Sequence, residues 1–209
     1  WNRLSPSQYP ALHERVEQEF GIRSLGYLPK LEAVSLESRH LGLITAEEVL
    51  QLQTKLDLLA DQAECTIDLD GIQSLAERAE PLQEEPYTPP DRGDFCRPRI
   101  AVARDRAFCF YYADSLRLLE HLGAELCYFS PLVDSTLPVG CNGVLLGGGY
   151  PELYGEDLEK NHSIRENLYT SIQKGMPCIA ECGGFLYLHR TLEDSYGTPR
   201  RMVGTILAD

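Results

Sequence analysis

Apolar residues recur at two spacings along this chain, and the change from one to the other divides it. Up to about residue 80 they fall mostly three and four positions apart, the spacing of helices with one apolar face. Residues 10–20 predict an amphipathic helix, and Gly21 to Pro29 a short strand that ends in a loop. Thr45 and Glu48 fit a capping box, with Thr45 as N-cap and Glu48 at the third helical position. The helix it opens carries Val49, Leu52, Leu56 and Leu59 on one stripe, and another helix is expected over 69–79. With so little strand of its own, the region 1–80 reads as the tail of a larger α/β domain.

Residues 81–98 lose all periodicity and are rich in proline and charge, which predicts an extended linker. From 99 to 209 short apolar runs alternate with helical spacing. Strands are expected at 99–103, 125–129, 143–147 and 175–179, the last of them buried, and the chain ends as if a further strand began near Met202. Helices are expected at 114–122, stopped by Gly123, and at 161–174, with Ile164, Leu168 and Ile172 along one stripe. Such alternation predicts an α/β fold with a parallel sheet and ligands outside the carboxyl ends of its strands.

Composition narrows the partners. The 209 residues are 43% hydrophobic and 24% charged, ordinary for a soluble globular protein, and carry a net charge of −13. That charge argues against nucleic acid and anionic membranes as partners, because phosphate binding needs a basic face. No apolar run approaches the roughly 20 residues of a membrane span. A secretory leader is not evident either, and a cytoplasmic location is the expectation. Trp1 in place of an initiator methionine, and an ending without a cap, lead us to expect a piece of a longer protein, with a processed N-terminus as the plainer reading of Trp1. Seven cysteines in irregular spacing, with no C-x-x-C, argue against a disulfide framework and against a metal site.

One cysteine stands apart. Cys182, in Ala180-Glu181-Cys182-Gly183-Gly184, lies between an expected strand and the expected helix of Phe185-Leu186-Tyr187-Leu188. A nucleophile on such an elbow is held out toward substrate, and a helix N-terminus favours its thiolate. Attack on an amide carbonyl creates an oxyanion that two N–H donors must meet. Gly183, the residue after the nucleophile, supplies one; the run Gly147-Gly148-Gly149 offers the second, with Gly149 the best candidate. The same run also has the plainer reading of a tight turn. None of His13, His40, His121, His162 or His189 is spaced to serve as the general base. His189 and His162 read as surface helix residues, and His121 as a helix C-terminal residue. The base is therefore expected beyond Asp209.

The elbow segment 180–188 resembles the nucleophile motif of class I glutamine amidotransferases of the cobyrinic and cobyric acid synthase type. Arg99 to Asp105 with Ala107 to Tyr112, Leu146 to Glu152, and Ser38 to Leu43 resemble, in the same order, three segments of the cobyrinic acid a,c-diamide synthase family. The resemblance implies a flavodoxin-like three-layer glutaminase domain over 99–209, incomplete at its C-terminus. Before it, 1–80 would be the remnant of a P-loop-type synthetase domain. It implies that Cys182 forms a γ-glutamyl thioester with glutamine and releases ammonia. In the intact enzyme, ATP and Mg²⁺ would activate the a and c acetate carboxylates of cobyrinic acid, or of a related tetrapyrrole, for amidation. Gly148 and Tyr150 would contact glutamine, Tyr27 and Pro29 would lie near the nucleotide base, and Arg39 and His40 would face substrate or phosphate, or only make a structural ion pair. The family's phosphate-binding loop, G-x-x-x-x-G-K-[ST], is missing from this sequence, so the fragment alone is expected to bind no ATP and to be inactive. A homodimer is compatible with the resemblance. Alternatives are nickel-sirohydrochlorin a,c-diamide synthase, a non-catalytic glutaminase-like scaffold, or a redox-responsive hydrolase-like protein of the same sheet architecture.

Overall fold

The computed structural model describes residues 1–36, 38–39, 42–44, 46–81 and 97–208. Thr45 of the expected capping box, His40, Cys96, Asp209 and most of the expected linker (82–96) lie outside the described residues. The chain divides into two compact units, Trp1–Glu85 and Pro86–Asp209. No helix is long and apolar enough to cross a membrane.

In the first unit α1 spans Tyr9–Phe20 and ends at Gly21, whose left-handed φ of 64° lets its N–H close on the Glu17 carbonyl. The strand expected after it does not form. Its residues make only isolated bridges, Gly26 to Ile67 and Asn2 to Leu28. A two-residue ladder pairs Ser38–Arg39 (β1) with Gly42–Leu43 (β2). The helix expected from Thr45 is broken: a 3-10 turn covers Ala46–Glu48, and α2 begins only at Leu52 and runs to Thr66. Gln51, at φ 54°, is the left-handed residue that interrupts it. Helix α3 (Leu69–Glu77) starts where expected, because the Asp68 carboxylate caps the Gly71 N–H at 2.9 Å.

In the second unit four parallel strands form one sheet: β3 (Arg99–Ala103), β4 (Glu125–Phe129), β5 (Gly143–Leu146) and β6 (Cys178–Ala180), in the order β4-β3-β5-β6. Helix α4 (Ala113–His121) links β3 to β4 in one direction, while α5 (Gly155–Lys160) and α6 (His162–Gln173) link β5 to β6 in the other. Right-handed crossovers that run in opposite directions put their helices on opposite faces, which gives three layers. The order is that of flavodoxin-like sheets and reverses between β3 and β5. Ala101, Ala103, Val144 and Leu146 on one face close over Leu158, Ile164 and Leu168 of α5 and α6 to form the core.

Two expectations fail here. The strand before Cys182 is not buried: β6 is the last strand of the sheet, and Ile179 is 64% exposed. No strand begins at Met202. Instead Thr191–Glu193 (β7) and Pro199–Arg201 (β8) pair as an antiparallel hairpin, and Met202 and Val203 pack into the core as irregular chain.

Candidate active site

The sheet delivers Cys182 to its carboxyl edge. The Glu181 N–H still follows the ladder, donating to the Leu146 carbonyl at 2.9 Å. Cys182 then turns out of the strand at φ 49° and ψ −116°, a backbone conformation that side-chain-bearing residues rarely hold. Helix α7 follows at once but is short, Gly183–Tyr187. The thiol is free and exposed. The two glycines after it are dictated by close approach: a Cβ on Gly184 would run into the Leu146 carbonyl oxygen, and one on Gly183 would lie 2.8 Å from Pro151 Cδ and 2.9 Å from the Gly149 oxygen.

The glycine run from β5 lies directly against this elbow. The Gly184 N–H donates to the Gly147 carbonyl at 3.0 Å. A Cβ on Gly148 would stand 3.5 Å from Cys182 Cβ, and a Cβ on Gly183 would lie 3.1 Å from the Gly149 nitrogen. A Cβ on Gly149 would collide with the Ala107 carbonyl oxygen. Cys182, Gly148, Gly149 and Gly183 are thus brought together. The amides of Gly149 and Gly183 donate to no backbone carbonyl among the described residues. Tyr150 differs: it is buried, with its ring edge-on to Phe110 at 5.3 Å, so its side chain belongs to the loop's packing.

Among the described residues no histidine brings a base to the thiol. His189 is not the surface helix residue expected: it lies beyond the end of α7 and is half-buried, its ring 4.8 Å from Phe185 and its Nε2 buried without a hydrogen bond. His162 is exposed at the start of α6 and shares a hydrogen bond with Arg165. Among the described residues no hydrogen bond or ring contact joins a histidine to Cys182. The nearby Cys178 is half-buried, and burial pushes its thiol up to about 11, which keeps it protonated at neutral pH.

Spacing alone gave no role to Asp105 and Tyr111, yet both support the site. The Asp105 carboxylate accepts from the amides of Ala107 (2.8 Å), Phe108 (3.1 Å) and Leu132 (3.0 Å) and from the Ser130 hydroxyl (2.8 Å). The Tyr111 hydroxyl accepts from the Gly147 N–H at 2.8 Å and donates to the Ala103 carbonyl. An aspartate two residues past a strand end was the available sequence signal, since such residues tie down turns through neighbouring amides.

In the first unit Pro29 lines a cavity of about 400 Å³ together with Asn2, Arg3, Lys30 and Glu32. Tyr27 is not part of that lining: its ring stacks on Tyr9 at 4.5 Å, and its N–H donates to Thr66. The described residues hold no cluster of three or more His, Cys, Asp or Glu side chains able to take a metal ion.

Comparison with known proteins agrees with this geometry. Three relatives named cobyrinate a,c-diamide synthase are 39% identical over 193 residues in Clostridium tetani, 39% over 204 residues in Dehalococcoides mccartyi strain CBDB1, and 42% over 207 residues in Salmonella typhimurium. These alignments cover 92%, 97% and 98% of this chain but only 43%, 44% and 45% of the relatives, so the chain spans less than half their length. Residues 99–209, which carry the parallel sheet, the glycine run and the elbow, match the CobB/CobQ-like glutamine amidotransferase domain, and the chain belongs to that family.

Proposed function

We propose that this chain supplies the glutamine-splitting part of an enzyme that makes cobyrinate a,c-diamide. The observation that carries the reading is the strained Cys182 elbow set against Gly148 and Gly149. In this reading the Cys182 thiolate attacks the side-chain carboxamide carbon of glutamine. A sulfur–carbon bond forms and the carbonyl oxygen gains the negative charge, to be met by the N–H groups of Gly149 and Gly183. Collapse of that intermediate breaks the carbon–nitrogen bond, and ammonia leaves with a proton from a general acid. Water then hydrolyses the thioester to glutamate and frees the thiol. In this reading the proton carrier comes from outside the described residues, in keeping with the absence of a hydrogen bond or ring contact between Cys182 and any described histidine.

The first unit belongs, in this reading, to the ATP-dependent synthetase region of the full-length protein. A cavity of about 400 Å³ is of ligand size. In this reading Asn2, Arg3, Pro29 and Lys30, which line that cavity, would meet a nucleotide there. ATP with Mg²⁺ supplies the activation of the tetrapyrrole carboxylate, which ammonia then converts to an amide. The similarity of the relatives across nearly the whole chain, first unit included, supports this division of labour.

The test is a pair of variants in the full-length protein. Cys182→Ala should reduce glutamine-dependent amidation by about 10³-fold or more and leave amidation from free ammonium salts within about twofold. Cys178→Ala should leave both routes intact and cost only about 1 kcal/mol of packing. Equal loss of both routes in Cys182→Ala would refute the separation of ammonia release from amide formation.

A further inference from the structure

Tyr111 stands where the sheet reverses its order. Beyond the carboxyl ends of β3 and β5 the crossovers depart in opposite directions and leave a crevice. The Tyr111 hydroxyl spans that crevice, donating to Ala103, the last residue of β3, and accepting from Gly147, the first residue after β5. Its ring packs against Gly147, where a Cβ would come 2.5 Å from Cε1 and Cζ. The neighbouring Phe110 N–H donates to the Gly148 carbonyl at 3.0 Å.

These two contacts fix more than a loop. The Gly148–Gly149 peptide is a planar trans unit, so its C=O and N–H point in opposite directions. With the Gly148 oxygen committed to Phe110, the Gly149 N–H is turned the other way, and the phenol anchors the Leu146–Gly147 peptide from which the glycine run departs. The segment 104–111 that carries Tyr111 is tied down at its origin, where the Asp105 carboxylate gathers three amides and a hydroxyl. Burial pushes the Tyr111 phenol up to about 12, so it remains a neutral donor to Ala103 throughout the working pH range.

From this geometry we infer that Tyr111 is a positioning residue, whose hydroxyl sets the Gly148–Gly149 peptide so that its N–H meets the oxyanion formed on Cys182. Asp105 acts one step further out by holding the segment that carries Tyr111. The inference rests on the glutaminase reading of Cys182. It adds to that reading a residue that touches neither glutamine nor sulfur.

The test is Tyr111→Phe in the full-length protein, a change that removes one oxygen and keeps the ring. The kcat for glutamine hydrolysis should fall about 10- to 100-fold, with KM for glutamine within about twofold, since a misaimed donor is felt only when the oxyanion forms. Alkylation of Cys182 by iodoacetamide, which develops no oxyanion, should keep its rate within about twofold. Hydrogen exchange at the Gly147 amide should accelerate by about tenfold or more, a readout that needs no activity. Asp105→Asn should show the same split in smaller measure. An unchanged kcat, or a loss matched by equal loss of iodoacetamide reactivity, overturns the positioning role, and so does an unchanged Gly147 exchange rate even if activity cannot be read. Failure of the underlying glutaminase reading looks different: Cys182→Ala would retain glutamine hydrolysis while Tyr111→Phe still loosened Gly147.

Discussion

The two units of this chain handle their apolar residues in opposite ways. In the first, no apolar side chain of the described residues is fully buried, and Leu69, Ile72 and Leu75 on α3 are each 45% exposed. Its cohesion comes from backbone bridges, the Tyr9–Tyr27 stack and half-exposed ion pairs such as Arg23–Asp68 at 2.7 Å. An exposed pair of that kind contributes only about 0–1 kcal/mol. In the second unit the same types of side chain close into a core over one face of the sheet. Amphipathic helices alone do not make an interior; a second apolar surface must meet them, and the sheet provides it. The candidate catalytic residues ride on the unit that has that surface, as a site requiring sub-ångström positioning demands.

Hydrogen exchange tests this contrast most strongly. In the 209-residue chain, amides of β3 and β5 should be protected about 10³-fold more than those of α2 and α3, because the latter can open without exposing a core. Equal protection in the two units would break the comparison.

Glycine substitutions sharpen it to single positions. Gly149→Ala drives a Cβ into the Ala107 carbonyl, a backbone atom that cannot step aside. It should cost about 2–4 kcal/mol in urea unfolding and lower glutamine hydrolysis about 100-fold in the full-length protein. Gly21→Ala in the first unit meets nothing within 4 Å, and only its φ of 64° is unfavourable. It should cost about 1 kcal/mol. If the two variants unfold alike, the tight packing at the glycine run is not what holds it.

The same contrast explains what could be read from the sequence. The strands of the sheet were legible as short apolar runs bounded by turn residues: β4 spans Glu125–Phe129 as expected, while β6, expected over 175–179, begins only at Cys178 and ends at Ala180. That Cys182, Gly183 and Gly149 lie together was legible because a strand-to-helix turn followed by glycines needs bare backbone around it. The broken start of α2 was not legible: Val49 and Leu52 keep helical spacing, and nothing local marks Gln51 as left-handed. The exposure of Ile179 depends on which strand lies at the sheet's edge, a matter of order in space and not of residue type. The β7–β8 hairpin was hidden because Asp194 and Gly197, its turn residues, sit in a run too polar to read as strand. Asp105 and Tyr111 were visible as residues, but the bonds by which they tie separate segments together reach partners 25 to 36 positions away.

The smallest effect is expected at that hairpin, on the rim of the well-packed unit. Asp194 accepts from the amides of Tyr196 and Thr198, each at 2.9 Å, and from Arg200 Nε at 2.8 Å. The Thr198 bond above all, with help from Arg200 and Tyr196, holds its carboxyl below the usual aspartate range. A carboxylate whose pKa is lower folded than unfolded adds stability above its unfolded pKa and loses it as pH falls through the folded one. Asp194→Asn should therefore lower Tm slightly at pH 7, and the gap to the unsubstituted protein should shrink below about pH 4 as the aspartate protonates. Thermal melts between pH 7 and pH 2 measure this. A gap that persists undiminished at the acid end would mean that side-chain shape, not charge, closes the turn. It would also mean that the rim of the second unit is held, like its interior, by packing.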